Sequence, residues 1–144
     1  MRTTVRPTFV SRPSLLIAAC AIVVVGVARA MDPGTALNGD EELPPVKTVA
    51  TGITDIRIGD DMSVTGTVET AEVDGIAAHI HVGVRGATGP IIITLNRTLA
   101  NKWAVPVGTL LTPAQFANYK LGALYVNVDS AQHPSGEIRV QLTP

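Results

Sequence analysis

The sequence predicts an all-β protein: an antiparallel β-sandwich or partly open Greek-key barrel with one short helix. Three observations support this fold class. Short runs rich in β-branched and apolar residues recur along the chain, turn residues separate them, and apolar and polar side chains alternate within several runs. Such alternation is typical of antiparallel strands that place one face on a core and the other toward solvent.

The N-terminal segment has the composition of a secretory signal peptide. Arg2, Arg6 and Arg12 precede an uncharged stretch over 15–27, and the small-residue sequence Ala28-Arg29-Ala30 follows it. The uncharged stretch has 13 residues, fewer than the about 20 that a membrane-spanning helix needs. We therefore expect export by general secretion and cleavage after this segment.

The same segment sets the expected domain organisation and location. We predict a signal peptide over 1–30, a linker over 31–34 and a folded domain over 35–144, in a secreted or periplasmic protein. Membrane association is expected only through an uncleaved signal segment. Cys20 leaves open a lipidated form, although the apolar run before it is short.

The composition of the mature chain argues against several classes of partner. Removing 30 of 144 residues leaves 114, enough for one domain with its own core. Four arginines leave with the segment, so the basic residues fall from 11 to 7 against 12 acidic ones, a net charge of −5. An acidic chain poor in aromatic residues argues against nucleic-acid binding and against attraction to an anionic membrane. The only cysteine also leaves, so the mature domain has no disulfide.

The first half of the domain is predicted to contain an edge strand and a hairpin. Thr35–Leu43 is expected to form the edge strand and to end at Pro44-Pro45, because proline cannot donate to a strand ladder. Thr48–Ile58 is rich in β-branched residues, and Met62–Thr70 alternates apolar and polar side chains. The turn Gly59-Asp60-Asp61 between these two runs predicts a hairpin.

A histidine-bearing strand is predicted in the middle of the chain. Because side chains alternate across a strand, His79 and His81 share one face, while Ile80 and its apolar neighbours share the other. A Gly-rich loop over Arg85–Gly89 follows. The apolar run Ile91–Leu95 after it is expected to be a strand covered on both faces.

A helix is predicted in the second half of the domain. Residues 98–111 are expected to be irregular around a buried Trp103. Thr112-Pro113-Ala114-Gln115 has the residue types of a helix start, with Thr112 as N-cap, and predicts a helix over 113–121.

The chain is predicted to close with a hairpin. Leu124–Asp129 and Glu137–Leu142 both alternate, and the turn residues His133-Pro134-Ser135-Gly136 lie between them. If the histidine strand lies beside this hairpin, the polar faces of the three strands form one contiguous surface.

The pair of histidines makes this surface a candidate metal site. An H-x-H sequence on a strand places both imidazoles on one side, about 7 Å apart along the backbone. A third ligand from a neighbouring strand would complete a site for Zn or Cu, which favour imidazole nitrogen. Asp129 is the first candidate for this ligand, and His133 or Glu137 could take its place.

The alternative is a solvated sheet face with no metal. The histidines then hold the Arg85–Gly89 loop or pair with a carboxylate. On this interpretation the face recognises another protein, and its residues are Tyr125, Asn127, Glu137 and Arg139. The acidic run Asp40-Glu41-Glu42 is most simply a solvated segment.

The sequence lacks the motifs of several common enzyme classes. The sequence has no G-x-S-x-G, phosphate loop or dinucleotide fingerprint. A Cu/Zn dismutase also carries H-x-H on a β-strand, but its two-metal site needs more than the three histidines that this chain has. We therefore expect no catalytic residues.

Four segments, spanning about Thr35 to Leu142, together resemble the CHRD domain, named after chordin, an extracellular antagonist of bone morphogenetic proteins. They are Leu37-Asn38-Gly39-Asp40-Glu41-Glu42-Leu43-Pro44-Pro45-Val46, then His79-Ile80-His81-Val82-Gly83 with Gly86, Gly89 and Pro90, then Leu124-Tyr125-Val126-Asn127-Val128, and Pro134-Ser135-Gly136-Glu137-Ile138-Arg139. The resemblance implies an exported, mostly β domain with no established enzymatic activity. The chain departs from the family pattern at Asp129, where histidine is frequent, and at Val140, where glycine is usual.

These observations converge on a non-catalytic binding module whose partner is another extracytoplasmic protein. Divalent metal binding by His79, His81 and Asp129 is the alternative function.

Overall fold

The computed structural model describes residues 35–144; the predicted signal peptide and linker lie outside the described residues. The strands are β1 Ala36–Leu37, β2 Thr51–Thr54, β3 Arg57–Ile58, β4 Val64–Thr65, β5 Thr67–Ala71, β6 Gly75–Val82, β7 Ile91–Thr94, β8 Asn96–Leu99, β9 Lys102–Ala104, β10 Leu124–Ser130 and β11 Ile138–Leu142, and the helix is α1 Pro113–Lys120. No helix within the described residues is long and apolar enough to cross a membrane.

Two antiparallel sheets enclose one core. The larger sheet has the order β1-β2-β5-β9-β8, the four-stranded sheet has the order β11-β10-β6-β7, and β3 and β4 form a small separate sheet. The buried apolar side chains of both larger sheets form one cluster between them. The predicted all-β sandwich is therefore confirmed.

The first hairpin is present but broken. The turn at Gly59 forms, with the Met62 amide donating to the Gly59 carbonyl, so this prediction is confirmed. The single predicted strand Met62–Thr70 is wrong, because Gly66 adopts a φ of +122° and divides it into β4 and β5. A Cβ at Gly66 would lie 2.6 Å from the Cα of Ile56, so the backbone between β2 and β3 leaves no room for a side chain there.

The predicted edge strand is shorter than expected. Only β1 pairs with β2, because Asn38 then caps a 3-10 turn over Gly39–Glu41. The Asn38 side chain accepts a hydrogen bond from the amide of Glu41. This turn redirects the chain away from the sheet edge.

The prediction that residues 98–111 are irregular is wrong, because β9 lies in this range and pairs with β8 and β5. The hairpin of β8 and β9 is hard to recognise from sequence, since all four residues of β8 are exposed and show no alternation. Trp103 lies on β9 with 1% of its surface exposed, as predicted.

Ile91–Leu95 was expected to be covered on both faces. This expectation is wrong, because Ile91 is 51% exposed. Ile93 and Leu95 are buried in the core, and Ile92 is only partly buried against it.

The helix prediction is confirmed together with its N-terminal cap. The Gln115 amide donates to the Thr112 hydroxyl, and the Gln115 side chain accepts from the Thr112 amide. Proline occupies the first helical position, where its missing N–H is not needed. The last helical residue is Lys120, one before the predicted end.

We expect Gly75→Ala to destabilise the domain by about 2 kcal/mol, because a Cβ at Gly75 would lie 2.5 Å from the Trp103 ring in a packed core. Thermal unfolding measures the loss, and the fluorescence of Trp103, the only tryptophan, reports the displacement. Gly86→Ala is the control, since Gly86 has a φ of +80° but nothing within 4 Å of the added Cβ. It should cost about 1 kcal/mol and leave the fluorescence unchanged; a shifted spectrum in both variants would contradict the contact.

Candidate functional site: a buried polar layer

The predicted adjacency of the three polar strand faces is confirmed. Strand β10 lies between β6 and β11, so Asn127 pairs with His79 on one side and Arg139 on the other. In the same way Tyr125 pairs with His81 and Gln141. We call this set the polar layer; its members are His79, His81, Tyr125, Asn127, Asp129, Arg139 and Gln141.

The expected solvent exposure of this face is wrong. Asn127 is 3% exposed, Arg139 1% and Glu137 6%, and Tyr125 is also buried. Every residue of β10 and β11 is buried, so both faces of these strands are covered. Whether the predicted interaction residues contact a partner is not decided by this burial and stays a prediction.

One cover is the segment 83–90, which we call the glycine loop. The Arg139 guanidinium donates to the carbonyl of Ala87 at 3.0 Å. His81 Nδ1 lies 2.9 Å from the carbonyl of Gly89, and the Gly89 amide donates to the Tyr125 hydroxyl at 3.3 Å. Gln141 holds the start of the loop by donating to the carbonyl of Gly83.

The other cover is the segment 38–48, which we call the acidic segment. Its first residue, Asn38, exchanges backbone hydrogen bonds with Arg139 at the edge of β11. At its far end the Thr48 hydroxyl donates to the Glu137 carboxylate at 2.6 Å. An ion pair between Glu41 and Arg85 joins the acidic segment to the glycine loop.

The ring of Tyr125 packs between two charged or polar planar groups. His81 stacks on it with ring centroids 4.7 Å apart and an interplanar angle of 7°. The Arg139 guanidinium carbon lies 3.4 Å from the Tyr125 ring centroid. This contact supplies part of the attraction that a buried cation needs, and burial still lowers the pKa of Arg139.

Both ring nitrogens of His81 have partners within the protein. Nδ1 lies 2.9 Å from the Gly89 carbonyl, which can only accept. Nε2 lies 3.0 Å from Asn127 Oδ1, and the Asn127 amide nitrogen donates to Asp129 at 2.9 Å. His81 is therefore joined to the glycine loop on one side and to β10 on the other.

Asp129 lies at the far end of this series of contacts. One of its oxygens accepts from Asn127, and the other lies 3.1 Å from His79 Nδ1, an ion-pair distance without hydrogen-bond geometry. Burial raises the pKa of Asp129, while the charges of His79 and His81 act in the other direction. The Asn127 amide thus links the His81 ring to the Asp129 carboxyl group.

The three predicted metal ligands are neighbours but do not form a metal site here. Both nitrogens of His81 are occupied by partners within the protein, the Gly89 carbonyl and Asn127 Oδ1. Within residues 35–144 no group of three or more His, Cys, Asp or Glu side chains is arranged to hold a metal ion. Of the substitute ligands, Glu137 accepts from Thr48 and His133 lies in the turn before β11.

The burial of Glu42 is not predicted by the sequence. The sequence places Glu42 in a solvated acidic run, but the residue is 5% exposed and its Oε1 atom has no hydrogen-bond partner. Burial raises the pKa of Glu42 from 4.5 to about 7; the nearby Arg139 charge opposes this shift and Asp129 adds to it. The only sequence feature that could have indicated it is its place in the first of the four family-like segments.

The fold and the site together define the class of protein. The protein is a compact β-sandwich whose polar layer holds two loops against one sheet. The family model of the CHRD domain matches residues 34–142, so the chain belongs to the CHRD family. Comparison with curated proteins and with solved structures gave no match.

We expect Asn127→Ala to cost about 3 kcal/mol of unfolding free energy, because it leaves a buried Asp129 oxygen and His81 Nε2 without their partner. Chemical denaturation measures the change. Asn118→Ala, in the helix, is the matched control and should stay within about 0.5 kcal/mol of the wild type. Equal losses in the two variants would show that the amide bridge contributes nothing.

Glu42 should make stability depend on pH between 4.5 and about 7. Since the folded state holds this proton more tightly than the unfolded chain, the stabilising contribution is present below pH 4.5 and is lost as pH rises through about 7. Glu42→Gln keeps the side chain neutral at every pH. The unfolding free energy of this variant relative to the wild type should therefore rise by about 1–2 kcal/mol as the pH increases from about 4 to about 8, after allowance for solvent screening.

Denaturation curves at several pH values test this expectation. Glu41→Gln, which neutralises the adjacent side chain, shows whether the effect belongs to Glu42. Parallel stability–pH curves for the wild type and E42Q would contradict the assignment.

Proposed function

We propose that this protein is a non-catalytic binding module that recognises another extracytoplasmic protein through the surface formed by the glycine loop and the acidic segment. The observation that carries this proposal is the buried polar layer, which fixes both loops to the sheet. Binding residues are often presented by loops on a rigid scaffold, because a preorganised surface loses little entropy on association.

The hydrogen bonds of the layer support a binding role over catalysis. His81 and Asn127 use their polar atoms within the protein, and Arg139 bonds to Ala87 and Gln141. A general base or nucleophile needs an accessible group within reach of a substrate. The candidate groups of this site instead hold the backbone of the loops.

The location outside the cytoplasm is supported by two features. The chain belongs to a family named after an extracellular protein, and its first 30 residues have the composition of a cleavable signal peptide. The acidic net charge supports a protein partner rather than nucleic acid.

Divalent metal binding is the second candidate function. It is favoured by His79 Nδ1, which is buried without a hydrogen-bond partner and lies 3.1 Å from Asp129. Zinc or copper would need His81 to release one of its hydrogen bonds. Stoichiometric metal in the purified protein, lost in His81→Ala, would establish this function.

Capture experiments test the proposed surface. The exported protein, immobilised, is exposed to an extracytoplasmic extract of its own cells, and bound proteins are quantified. Arg85→Glu reverses the charge at the junction of the two loops. We expect it to reduce the captured partner by about tenfold, a loss typical of a disrupted interface contact.

Lys102→Glu is the matched control, because Lys102 also forms a surface ion pair, with Glu69, on the opposite sheet. It should leave capture within about twofold of the wild type. Equal capture by the wild type and R85E, or equal losses in both variants, would contradict recognition by this surface.

A further inference from the structure

An open cleft of about 370 Å³ lies where the acidic segment meets the turn before β11. Its walls are largely apolar, formed by Leu43, Pro44, Pro45, Val46 and Pro134. Polar lining comes from Glu42, Lys47, Gln132, His133 and Ser135. Proline-rich walls lose little conformational freedom when a ligand packs against them.

Glu42 is the buried polar group of this cleft. It lines the cleft, is 5% exposed, and its Oε1 has no hydrogen-bond partner. Gly136 allows its position, since a Cβ there would lie 2.4 Å from Oε1. A buried acceptor without a donor is costly, so a ligand that supplies a donor at this point gains affinity from pairing it.

Glu42 forms no ion pair with a cation of residues 35–144. The Arg139 charge acts on it from the sheet without a hydrogen bond; Arg139 Nη2 donates to Ala87 and Gln141, and Nη1 has no hydrogen-bond partner. Lys47 lines the cleft and makes no ion pair with Glu42 among residues 35–144. Asp129 adds negative charge nearby.

We propose that this cleft binds a lysine side chain of the partner protein, with Glu42 accepting a hydrogen bond from the ammonium group. The apolar walls match the four-carbon stem of lysine, and the unpaired Oε1 of Glu42 matches a compact ammonium. A guanidinium would need both carboxylate oxygens for its planar fork. This inference rests on the proposed function, because it names the chemistry that the partner presents.

The test uses small probes, so it does not depend on finding the partner. N-acetyl-lysine methylamide is titrated into the isotope-labelled exported protein and followed by NMR. We expect chemical-shift changes in residues 42–47 and 132–136 with a dissociation constant on the order of 1 mM, as suits a single side chain. The norleucine analogue, which has the stem without the ammonium, should bind at least about tenfold more weakly.

Two variants locate the effect. Glu42→Gln should reduce lysine-probe binding by about tenfold or more, and its unchanged Trp103 fluorescence verifies folding. Glu69→Gln, with the same charge change at a residue of the opposite sheet paired with Lys102, should bind the probe like the wild type. Equal binding of lysine and norleucine probes, or wild-type binding by E42Q, would overturn the proposal.

Further outcomes separate the two proposals. Tighter binding of cadaverine or of the arginine probe would also overturn the lysine assignment, because the occupant would then be a free amine or a guanidinium. Partner capture that is reduced by R85E but not by E42Q would support the proposed binding module and refute lysine binding in the cleft. Selective lysine binding without any captured partner would keep the cleft and refute the proposed function.

Discussion

The structure depends on the burial of Arg139 on the outer face of the four-stranded sheet. A guanidinium that is 1% exposed cannot be left without partners, since the desolvation of an unpaired charge is severe. The protein meets much of this requirement with the Tyr125 ring and with two acceptors of Nη2, the carbonyl of Ala87 and the side chain of Gln141, while Nη1 is buried without a hydrogen-bond partner. The carbonyl belongs to the glycine loop, so closure of the loop over the strand supplies one of these acceptors. The position of the glycine loop is therefore coupled to one buried charge.

The polar layer joins the two loops into one unit. The same strands that bury Val126 and Ile138 in the apolar core carry Asn127 and Arg139 on the other face. Each loop is bonded to that face, and the Glu41–Arg85 pair joins the loops to each other. Because directional hydrogen bonds specify a geometry more sharply than apolar contact, the surface above the polar layer is held in a defined shape. Under the proposed function, the hydrogen-bonding side chains of the polar layer fix the shape of the two loops, and the loops contact the partner.

Local sequence predicted the elements that local physics controls. The capping residues Thr112 and Gln115 specify the start of the helix, and two-residue alternation specifies the closing hairpin. It failed at Gly66, where a close crossing of Ile56 breaks a strand, and over β8, whose exposed residues carry no alternation. Both failures have the same origin: strand ends and edges are set by partners distant in sequence.

The sequence by itself determined the fold class, the family-like segments and the face of the sheet on which each side chain lies, because strand geometry fixes the alternation of side chains. Only the tertiary structure decided what covers that face. Arg139 and its acceptor Ala87 are 52 residues apart, and Thr48 and Glu137 are 89 apart, separations at which periodicity carries no information. Contacts of this kind also bury Glu42, which the sequence shows only as one member of an acidic run, and place it in the lining of a cleft.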